Sequence, residues 1–268
     1  MIKNIAILGS SGFVGTALKI FFSNCSKYNL TCITRQNYDG HIGQEFDVLI
    51  DTSGNSKKFV ADKDSLGEFH ESVLKKIKII HDFKSKLHVH ISSVDVYPNI
   101  EDIEFTNEKS LIDISNKKLS NYGFHKFLAE NITKFYCKNY IIFRLSGMVG
   151  ENLKKNPVYD ILNSKEIFIH KDSKYQFINT AEVAKIISSL LDEKFYNDVF
   201  NISGNGLISP SEIASIADKE LKINHEASEV PRVVNIDNSK VNSILKISST
   251  KSTIKKFIKS YSNQQNPQ

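Results

Sequence analysis

The sequence predicts an α/β protein built on a doubly wound parallel sheet, with a smaller C-terminal lobe and one abbreviated βα unit. Three features indicate this fold. The chain opens with an apolar segment that leads into a glycine-rich loop and a helical segment, a second apolar segment ends in two adjacent serines, and a later helix carries a tyrosine and a lysine one turn apart. Strand, glycine loop and helix in immediate succession are typical of sheets whose carboxyl edge binds a nucleotide.

The first feature is the glycine loop. Lys3-Asn-Ile-Ala-Ile-Leu8 is a short apolar run that predicts a buried strand, and Gly9-Ser-Ser-Gly12-Phe-Val-Gly15 follows it directly. In such a loop the glycines allow a tight turn, the approach of a pyrophosphate and close packing of the helix, whose N-terminus attracts the phosphates. An ordinary βα turn is the alternative. The candidate cofactor-binding residues are Gly9, Ser10, Ser11, Gly12, Phe13, Val14 and Gly15.

The second feature is the segment His88-Val-His-Ile-Ser-Ser-Val-Asp-Val-Tyr97. We expect a buried strand to end at Ile91 and to deliver Ser92 and Ser93 to the carboxyl edge of the sheet, where open α/β sheets bind ligands. A serine at that edge can hydrogen-bond a substrate oxygen. The simpler alternative is a pair of small polar residues that ends a strand.

The third feature is the pair Tyr122 and Lys126. A spacing of four places both side chains on one helix face, one turn apart. Free tyrosine titrates near pH ~10, and a nearby ammonium favours the phenolate. We therefore expect Lys126 to lower the pKa of Tyr122 and to make this residue a usable acid or base. The spacing also occurs by chance on solvated helices, so its weight comes from the other two features.

Together these motifs resemble the extended short-chain dehydrogenase/reductase family, which contains NAD-dependent epimerases, dehydratases and reductases of nucleotide sugars. Seven segments are similar to the family's motifs and follow its order. The matching segments are Gly9–Gly15, Ser92–Tyr97, Tyr122–Lys126, Phe143–Gly150, Phe177–Ala184, Val199–Gly204 and Asp237–Lys240. The resemblance implies a Rossmann-type fold and a catalytic set of Tyr122, Lys126 and Ser93.

The chain departs from the family's pattern after its second predicted strand. The family normally has a full strand and helix there, whereas the segment from Gln36 to Glu45 has ten residues. One βα unit is therefore predicted to be abbreviated. In a later helix, Ser72 and Lys75 stand where the family usually has asparagine and glycine.

The end of the second predicted strand bears on the cofactor. NAD-specific sites generally have Asp or Glu about 20 residues after the glycine loop, where the carboxylate bonds the ribose 2′-hydroxyl. Here Thr34 and Arg35 occupy that place. A hydroxyl and a guanidinium suit a 2′-phosphate, so the sequence favours NADP, supplied as NADPH, with NAD as the alternative.

The resemblance and an NADPH site together imply net reduction of a keto group on a nucleotide-activated sugar, for surface polysaccharide synthesis. Tyr122 would donate the proton, Ser93 would bind the keto oxygen, and Lys126 would also hold the nicotinamide ribose. The alternative enzyme is a nucleotide-sugar 4-epimerase with tightly bound NAD. A noncatalytic NADP(H)-binding sensor or scaffold is the third hypothesis, although such proteins usually lose the tyrosine or the lysine.

On the substrate side, the resemblance implies contacts from Ser93, Asp95 and Arg232, with Arg232 as the candidate for the nucleotide diphosphate. A surface arginine without a ligand is the other interpretation of Arg232. Asp95 stands where dehydratases carry one of two adjacent acids. Its neighbour Val94 is apolar, so dehydration is disfavoured.

Length and composition fit one large core with an appended lobe, since the chain has 268 residues and 40% hydrophobic content. We expect a dinucleotide-binding domain over residues 1–150. A substrate lobe, with elements that return to the sheet, is expected over residues 151–259, and a disordered tail over residues 260–268.

Charge and residue usage exclude several classes of partner. A net charge of +5 favours anionic ligands weakly, but the lysines are dispersed, so no nucleic-acid partner is expected. No apolar stretch approaches the ~20 residues that span a bilayer, so no membrane partner is expected either. The three cysteines lack disulfide or metal spacing, which is consistent with a reducing cytoplasm, and the histidines form no ligand set, so no metal is expected. The family resemblance implies a homodimer.

Overall fold

Strands and helices alternate along residues 2–265, the part of the chain that this computed structural model describes. The strands are β1 (Lys3–Leu8), β2 (Tyr28–Ile33), β3 (Glu45–Asp51), β4 (Lys84–Ser93), β5 (Tyr140–Leu145), β6 (Gly147–Val149), β7 (Phe177–Asn179) and β8 (Asp198–Ile202). The helices are α1 (Phe13–Ser23), α2 (Lys58–Lys63), α3 (Ser65–Phe69), α4 (Lys75–Asp82), α5 (Asn121–Tyr136), α6 (Pro157–Leu162), α7 (Thr180–Asp192), α8 (Pro210–Ala217), α9 (Ser239–Asn242) and α10 (Thr250–Gln265). A π-helical stretch, His70–Leu74, joins α3 to α4. Within residues 2–265, no helix has both the length and the apolar character that crossing a membrane requires.

The main sheet confirms the predicted doubly wound fold. Among the described residues, its six strands run in the order β2-β1-β3-β4-β5-β8, and every neighbouring pair is parallel. The direction of winding reverses between β1 and β3, which opens a crevice at their carboxyl ends. The short 3₁₀ turn Asp39–His41 stands between β2 and β3, so the predicted abbreviation of one βα unit is also confirmed. As a result, β2 forms an edge of the sheet.

The two faces of the sheet differ in polarity, and this difference positions the site. On one face, apolar side chains such as Val89 and Ile91 pack in the same core cluster as residues of α1 and α7. On the other face, beneath α4 and α5, the same strand presents His88, His90 and Ser92, because successive side chains of a strand point to opposite faces. Helix α5 therefore lies over a face of the sheet that is rich in polar groups.

A buried ion pair lies on this polar face. Lys76 of α4 bonds the carboxylate of Asp51, which ends β3 and is paired in register with His90. Ser53 also donates its backbone N–H and its hydroxyl to Asp51 Oδ1, at 2.9 and 2.5 Å. Burial alone would raise the pKa of Asp51, but Lys76, His88 and His90 together outweigh burial and hold this pKa far below its ordinary value.

We expect acid to destabilise the protein through His88. Burial, followed by repulsion from Lys76, lowers the pKa of His88 from 6.5 to about 4. The folded state thus holds His88 neutral. The contribution of this histidine to the free energy of unfolding is fully present above pH ~6.5 and is lost as the pH falls towards 4. For this group alone the loss is about 3 kcal/mol at pH 4. Urea unfolding at pH 7.5 and 4.5 measures it, and His88→Leu should lose less stability on acidification. An equal loss in both proteins would show that the native state does not lower the pKa of His88.

The C-terminal part of the chain forms a second apolar cluster and also completes the main sheet. Strands β6 and β7 pair in parallel, and residues of α6, α8 and α10 pack together beside them. Strand β8 returns to the sheet next to β5. Helix α10 continues to Gln265, so residues 260–265 are helical where a disordered tail is predicted, because Ile258 is buried and the Tyr261 hydroxyl bonds Asn163. Residues 266–268, the rest of that tail, lie outside the described residues.

Candidate active site

The glycine loop forms a compact turn at the carboxyl end of β1. Gly9 has a φ of +79°, and a Cβ at this position would approach Thr52 Oγ1 to 2.8 Å. The Gly12 N–H donates to the Gly9 carbonyl at 2.9 Å, and a Cβ on Gly15 would overlap that same carbonyl oxygen. Helix α1 therefore starts within this segment, at Phe13, with its N-terminal N–H groups at the edge of the sheet. This is the arrangement that holds a pyrophosphate.

Most of the other predicted loop residues have side chains that are turned into the protein, so their backbone is the part that could contact a cofactor. The Ser10 side chain is buried and donates to the Ile33 carbonyl at 3.3 Å, whereas Ser11 is exposed. Phe13 and Val14 are partly buried against the two large apolar clusters. The residues present thus fit a dinucleotide that the backbone of the loop and the N-terminus of α1 would hold.

The residues predicted to select the cofactor follow β2. Thr34 donates its N–H and its hydroxyl to Asn37 Oδ1, at 2.7 and 3.2 Å, so this hydroxyl stabilises the turn. The Arg35 side chain is 87% exposed, and its Nη2 lies 3.8 Å from Glu71 Oε2. Arg35 is therefore the member of this pair whose side chain extends into solvent, and it has an acidic neighbour that the sequence did not reveal.

Helix α5 brings the predicted catalytic pair to the carboxyl edge of the main sheet, where the glycine loop also lies. The Ser120 hydroxyl caps the helix by accepting from the Gly123 N–H at 3.1 Å. A Cβ on Gly123 would overlap the Asp95 carbonyl, so this glycine lets the helix start lie directly on the segment after β4. Tyr122 and Lys126 are both buried, and Lys126 Nζ lies 5.4 Å from the centroid of the Tyr122 ring. The predicted helix and the shared face are confirmed.

The direction predicted for the pKa of Tyr122 is wrong. Burial, followed by the Asp95 carboxylate, raises this pKa well above its ordinary value, and the Ser93 side chain opposes the shift through hydrogen bonding. Burial and repulsion from Lys76 also lower the pKa of Lys126 to about 8. Loss of hydration disfavours both the phenolate and the ammonium, so burial shifts both pKa values in favour of the neutral forms. In the free protein, Tyr122 is therefore a protonated phenol.

The two adjacent serines have different surroundings. Strand β4 continues to Ser93, two residues past its predicted end at Ile91. Ser92 donates to Glu130 Oε1 at 2.6 Å, in the buried network under α5, whereas Ser93 donates to Asp95 Oδ2 at 2.8 Å. Ser93 is thus the serine placed beside Tyr122, as the motif predicts.

Asp95 has two cationic neighbours, one of which is the predicted Arg232. Its Oδ1 accepts from Lys58 Nζ at 2.5 Å and lies 3.7 Å from Arg232 Nη2. Burial would raise the pKa of Asp95, but Lys58, Arg232 and Ser93 together lower it, so the side chain is a carboxylate. The fold therefore brings Arg232 to the catalytic edge from a distant part of the chain. Lys58 was not predicted, since Lys57-Lys58 has the appearance of an ordinary solvated pair.

A further cation lies beside this group. Lys155 donates to the carbonyl and the hydroxyl of Ser56. Burial, followed by repulsion from Lys57 and Lys58, lowers the pKa of Lys155 to about 8. Lys58 and Arg232 thus flank Asp95, with Lys155 close enough to Lys58 to be repelled by it, and an anionic ligand would relieve this repulsion.

Dinucleotide-dependent enzymes of the short-chain dehydrogenase/reductase type share this combination of a glycine loop, a serine at the end of a strand and a tyrosine–lysine helix. The chain belongs to the NAD dependent epimerase/dehydratase family, whose sequence model matches residues 70–203. It is thus an NAD(P)-dependent enzyme of the extended type, as the motifs predicted, and the noncatalytic hypothesis is wrong. No curated relative matches the sequence.

Solved structures share the fold along nearly the whole chain. They include UDP-glucuronic acid 4-epimerase from Bacillus cereus with UDP-glucuronic acid and NAD (TM-score 0.76, 18% identity, 96% of this chain and 99% of that one). A second is dTDP-4-dehydrorhamnose reductase from Bacillus anthracis str. Ames with NADP, which has a TM-score of 0.77 and 17% identity and covers 97% of this chain and 99% of its own. A third is RMD from Pseudomonas aeruginosa with NADPH, which has a TM-score of 0.79 and 15% identity and covers 98% of this chain and 99% of its own. At these identities the likeness establishes the fold.

Proposed function

We propose that this protein reduces a keto group on a nucleotide-activated sugar with NADPH, in the synthesis of a surface polysaccharide. The observation that carries the proposal is the protonated, buried Tyr122 beside Ser93, with Lys126 one helical turn away. Because the phenol keeps its proton at neutral pH, it can donate this proton once negative charge develops on the keto oxygen, which is the role that carbonyl reduction requires.

In the proposed reaction, the keto oxygen lies between the hydroxyls of Ser93 and Tyr122. The nicotinamide dinucleotide, when bound, supplies the hydride for reduction of the carbonyl carbon. Tyr122 donates its proton to the oxygen as negative charge develops there, and Ser93 hydrogen-bonds the same oxygen. Lys126 stabilises the resulting phenolate through its charge.

The cofactor would be held by the glycine loop, by Thr34 and Arg35 after β2, and by Lys126 at the nicotinamide ribose. The side chain of Arg35 supports a 2′-phosphate, because it is a largely exposed guanidinium at the carboxyl end of β2. The Thr34 hydroxyl contributes through the turn that presents Arg35.

The substrate would contact Ser93, Asp95 and Arg232. We assign the nucleotide diphosphate to Arg232, whose guanidinium lies at the catalytic edge near Asp95. The cations Lys58 and Lys155 support an anionic substrate, since both lie near the same edge. Among the structural neighbours, the Bacillus cereus epimerase is complexed with UDP-glucuronic acid.

A 4-epimerase with tightly bound NAD is the second candidate, and the position of Glu71 favours it. The carboxylate of Glu71 lies 3.8 Å from Arg35, so an acid is present near the place where NAD sites have one. Dehydration stays disfavoured, because Val94 next to Asp95 leaves the pair of acids incomplete.

We expect Arg35→Ala to weaken NADPH binding about tenfold and to leave NADH binding unchanged, because one charge-assisted contact with the 2′-phosphate is lost. Fluorescence titration of purified protein with each dinucleotide measures this, and turnover of 4-keto nucleotide sugars then tests the reaction. Lys78→Met, which removes an exposed lysine paired with Asp82, is the control. NAD that copurifies with the protein, or a preference for NADH, would favour the epimerase.

The proposal extends to the setting of the enzyme. We place it in the cytoplasm, and the free thiols of Cys25, Cys32 and Cys137 support a reducing compartment.

We also propose a homodimer that pairs through α5, because Phe135 is 81% exposed there beside the apolar surface formed by Phe69 and Leu128. Sedimentation velocity would give the mass of one chain if this is wrong.

A further inference from the structure

One carboxylate oxygen near the end of β2 has two cationic neighbours. Glu71 Oε2 lies 3.2 Å from Lys75 Nζ and 3.8 Å from Arg35 Nη2. Arg35 follows the edge strand of the sheet, whereas Glu71 lies in the π-helical stretch and Lys75 begins α4. Two cations from separate elements thus converge on the position of one anion.

The backbone at Glu71 lies near Lys126, the lysine of the proposed catalytic pair. A Cβ on Gly54 would lie 3.8 Å from the Glu71 carbonyl oxygen and 3.5 Å from Lys126 Nζ. Because a short 3₁₀ turn replaces the βα unit after β2, the cluster stands at the margin of the sheet. The side chains of Arg35 and Glu71 are 87% and 50% exposed, so both can move when a ligand arrives.

We propose that Lys75 and Arg35 together bind the 2′-phosphate of NADPH, and that Glu71 is the specificity-determining residue whose carboxylate the phosphate displaces. The inference rests on the proposed function and deepens it by naming the residues that select the cofactor. In the free protein the Glu71 carboxylate lies within 4 Å of both cations. With its carboxylate in place the three side chains sum to one positive charge, and once it turns to solvent two positive charges face a phosphate dianion.

The physical basis is competition between anions for one cationic pair. A phosphate carries more charge than a carboxylate and offers three acceptor oxygens, so it can bond a guanidinium fork and an ammonium at once. NADH has a hydroxyl at this position, which gains little from two cations and does not displace Glu71. The balance between Glu71 and the phosphate then sets the preference for NADPH over NADH.

Calorimetric titration of Glu71→Gln, Lys75→Met and the control Lys78→Met tests this, with NADPH, NADH, 2′,5′-ADP and 5′-AMP as ligands. We expect Lys75→Met to weaken NADPH and 2′,5′-ADP by about five- to tenfold and to leave NADH and 5′-AMP unchanged. Glu71→Gln should strengthen NADPH and 2′,5′-ADP by about threefold or more, because it removes the competing charge. Lys78→Met should match the wild type. Lys75→Gln repeats the test if the methionine variant does not fold.

Other outcomes overturn the proposal in distinguishable ways. If Glu71→Gln weakens NADH and spares NADPH, the carboxylate binds a ribose hydroxyl and the site belongs to NAD. If the variants change both dinucleotides equally, the cluster has a structural role. If wild-type protein prefers NADPH and every variant keeps that ratio, this inference fails while the proposed function stands. If the wild type binds neither dinucleotide, both fail.

Discussion

Tyr122→Phe is expected to lower kcat for the proposed reduction by about 10²–10⁴-fold, the range that removal of a general acid typically costs. The substitution deletes the donor hydroxyl and keeps the ring that fills the space at the start of α5. The Kd for NADPH should stay the same, since the glycine loop and the end of β2 would hold the dinucleotide. Steady-state kinetics with a 4-keto nucleotide sugar and dinucleotide titration on the same preparation measure the two quantities.

Tyr28→Phe is the matched control for this experiment. Tyr28 is also a buried tyrosine, but it begins β2 and so lies at the opposite end of the sheet from the catalytic edge. The Tyr28→Phe substitution should therefore leave kcat unchanged. A Tyr122→Phe enzyme that keeps a tenth or more of its activity would show that another group donates the proton.

Arg144→Met is expected to lower the free energy of unfolding by about 3–5 kcal/mol, because it leaves a buried carboxylate without its counter-charge. Arg144 Nε and Nη2 donate to the two oxygens of Glu130 at 2.9 and 2.7 Å, and both side chains are buried. The pair joins β5 to α5, the helix that carries Tyr122 and Lys126. Urea denaturation at pH 7.5 measures the change.

The double variant Glu130→Leu/Arg144→Met tests the cause of that loss. Replacing both members of a buried ion pair by apolar groups is often neutral, so the double variant should recover most of the stability. Lys78→Met, which breaks an exposed pair within α4, should cost less than about 0.5 kcal/mol. A double variant as unstable as Arg144→Met would mean that the ion pair itself, rather than an isolated charge, stabilises the fold.

Local sequence patterns predicted where the site residues lie better than they predicted the charges and pKa shifts around them. The glycine loop, Ser93 and the Tyr122–Lys126 helix are placed as the motifs predict, because each depends on residues within a few positions of one another. Lys58, the first residue of α2, was missed because nothing in its local sequence distinguishes a lysine that pairs with a buried carboxylate from a solvated one. The sign of the Tyr122 pKa shift was also missed, because burial depends on everything that packs around the residue.

The sequence by itself determined the fold class and the shortened βα unit, and it predicted that Tyr122 and Lys126 lie on one helix. Apolar periodicity, glycine spacing and segment length act through neighbours along the chain, so they can be interpreted without coordinates. The tertiary structure decided which distant charges meet: Arg232 and Lys58 at Asp95, and Arg35 and Lys75 at Glu71. It also decided the direction in which the pKa of Tyr122 is shifted, through burial. Ion pairing and loss of hydration depend on distances through space, and the folded chain sets those distances.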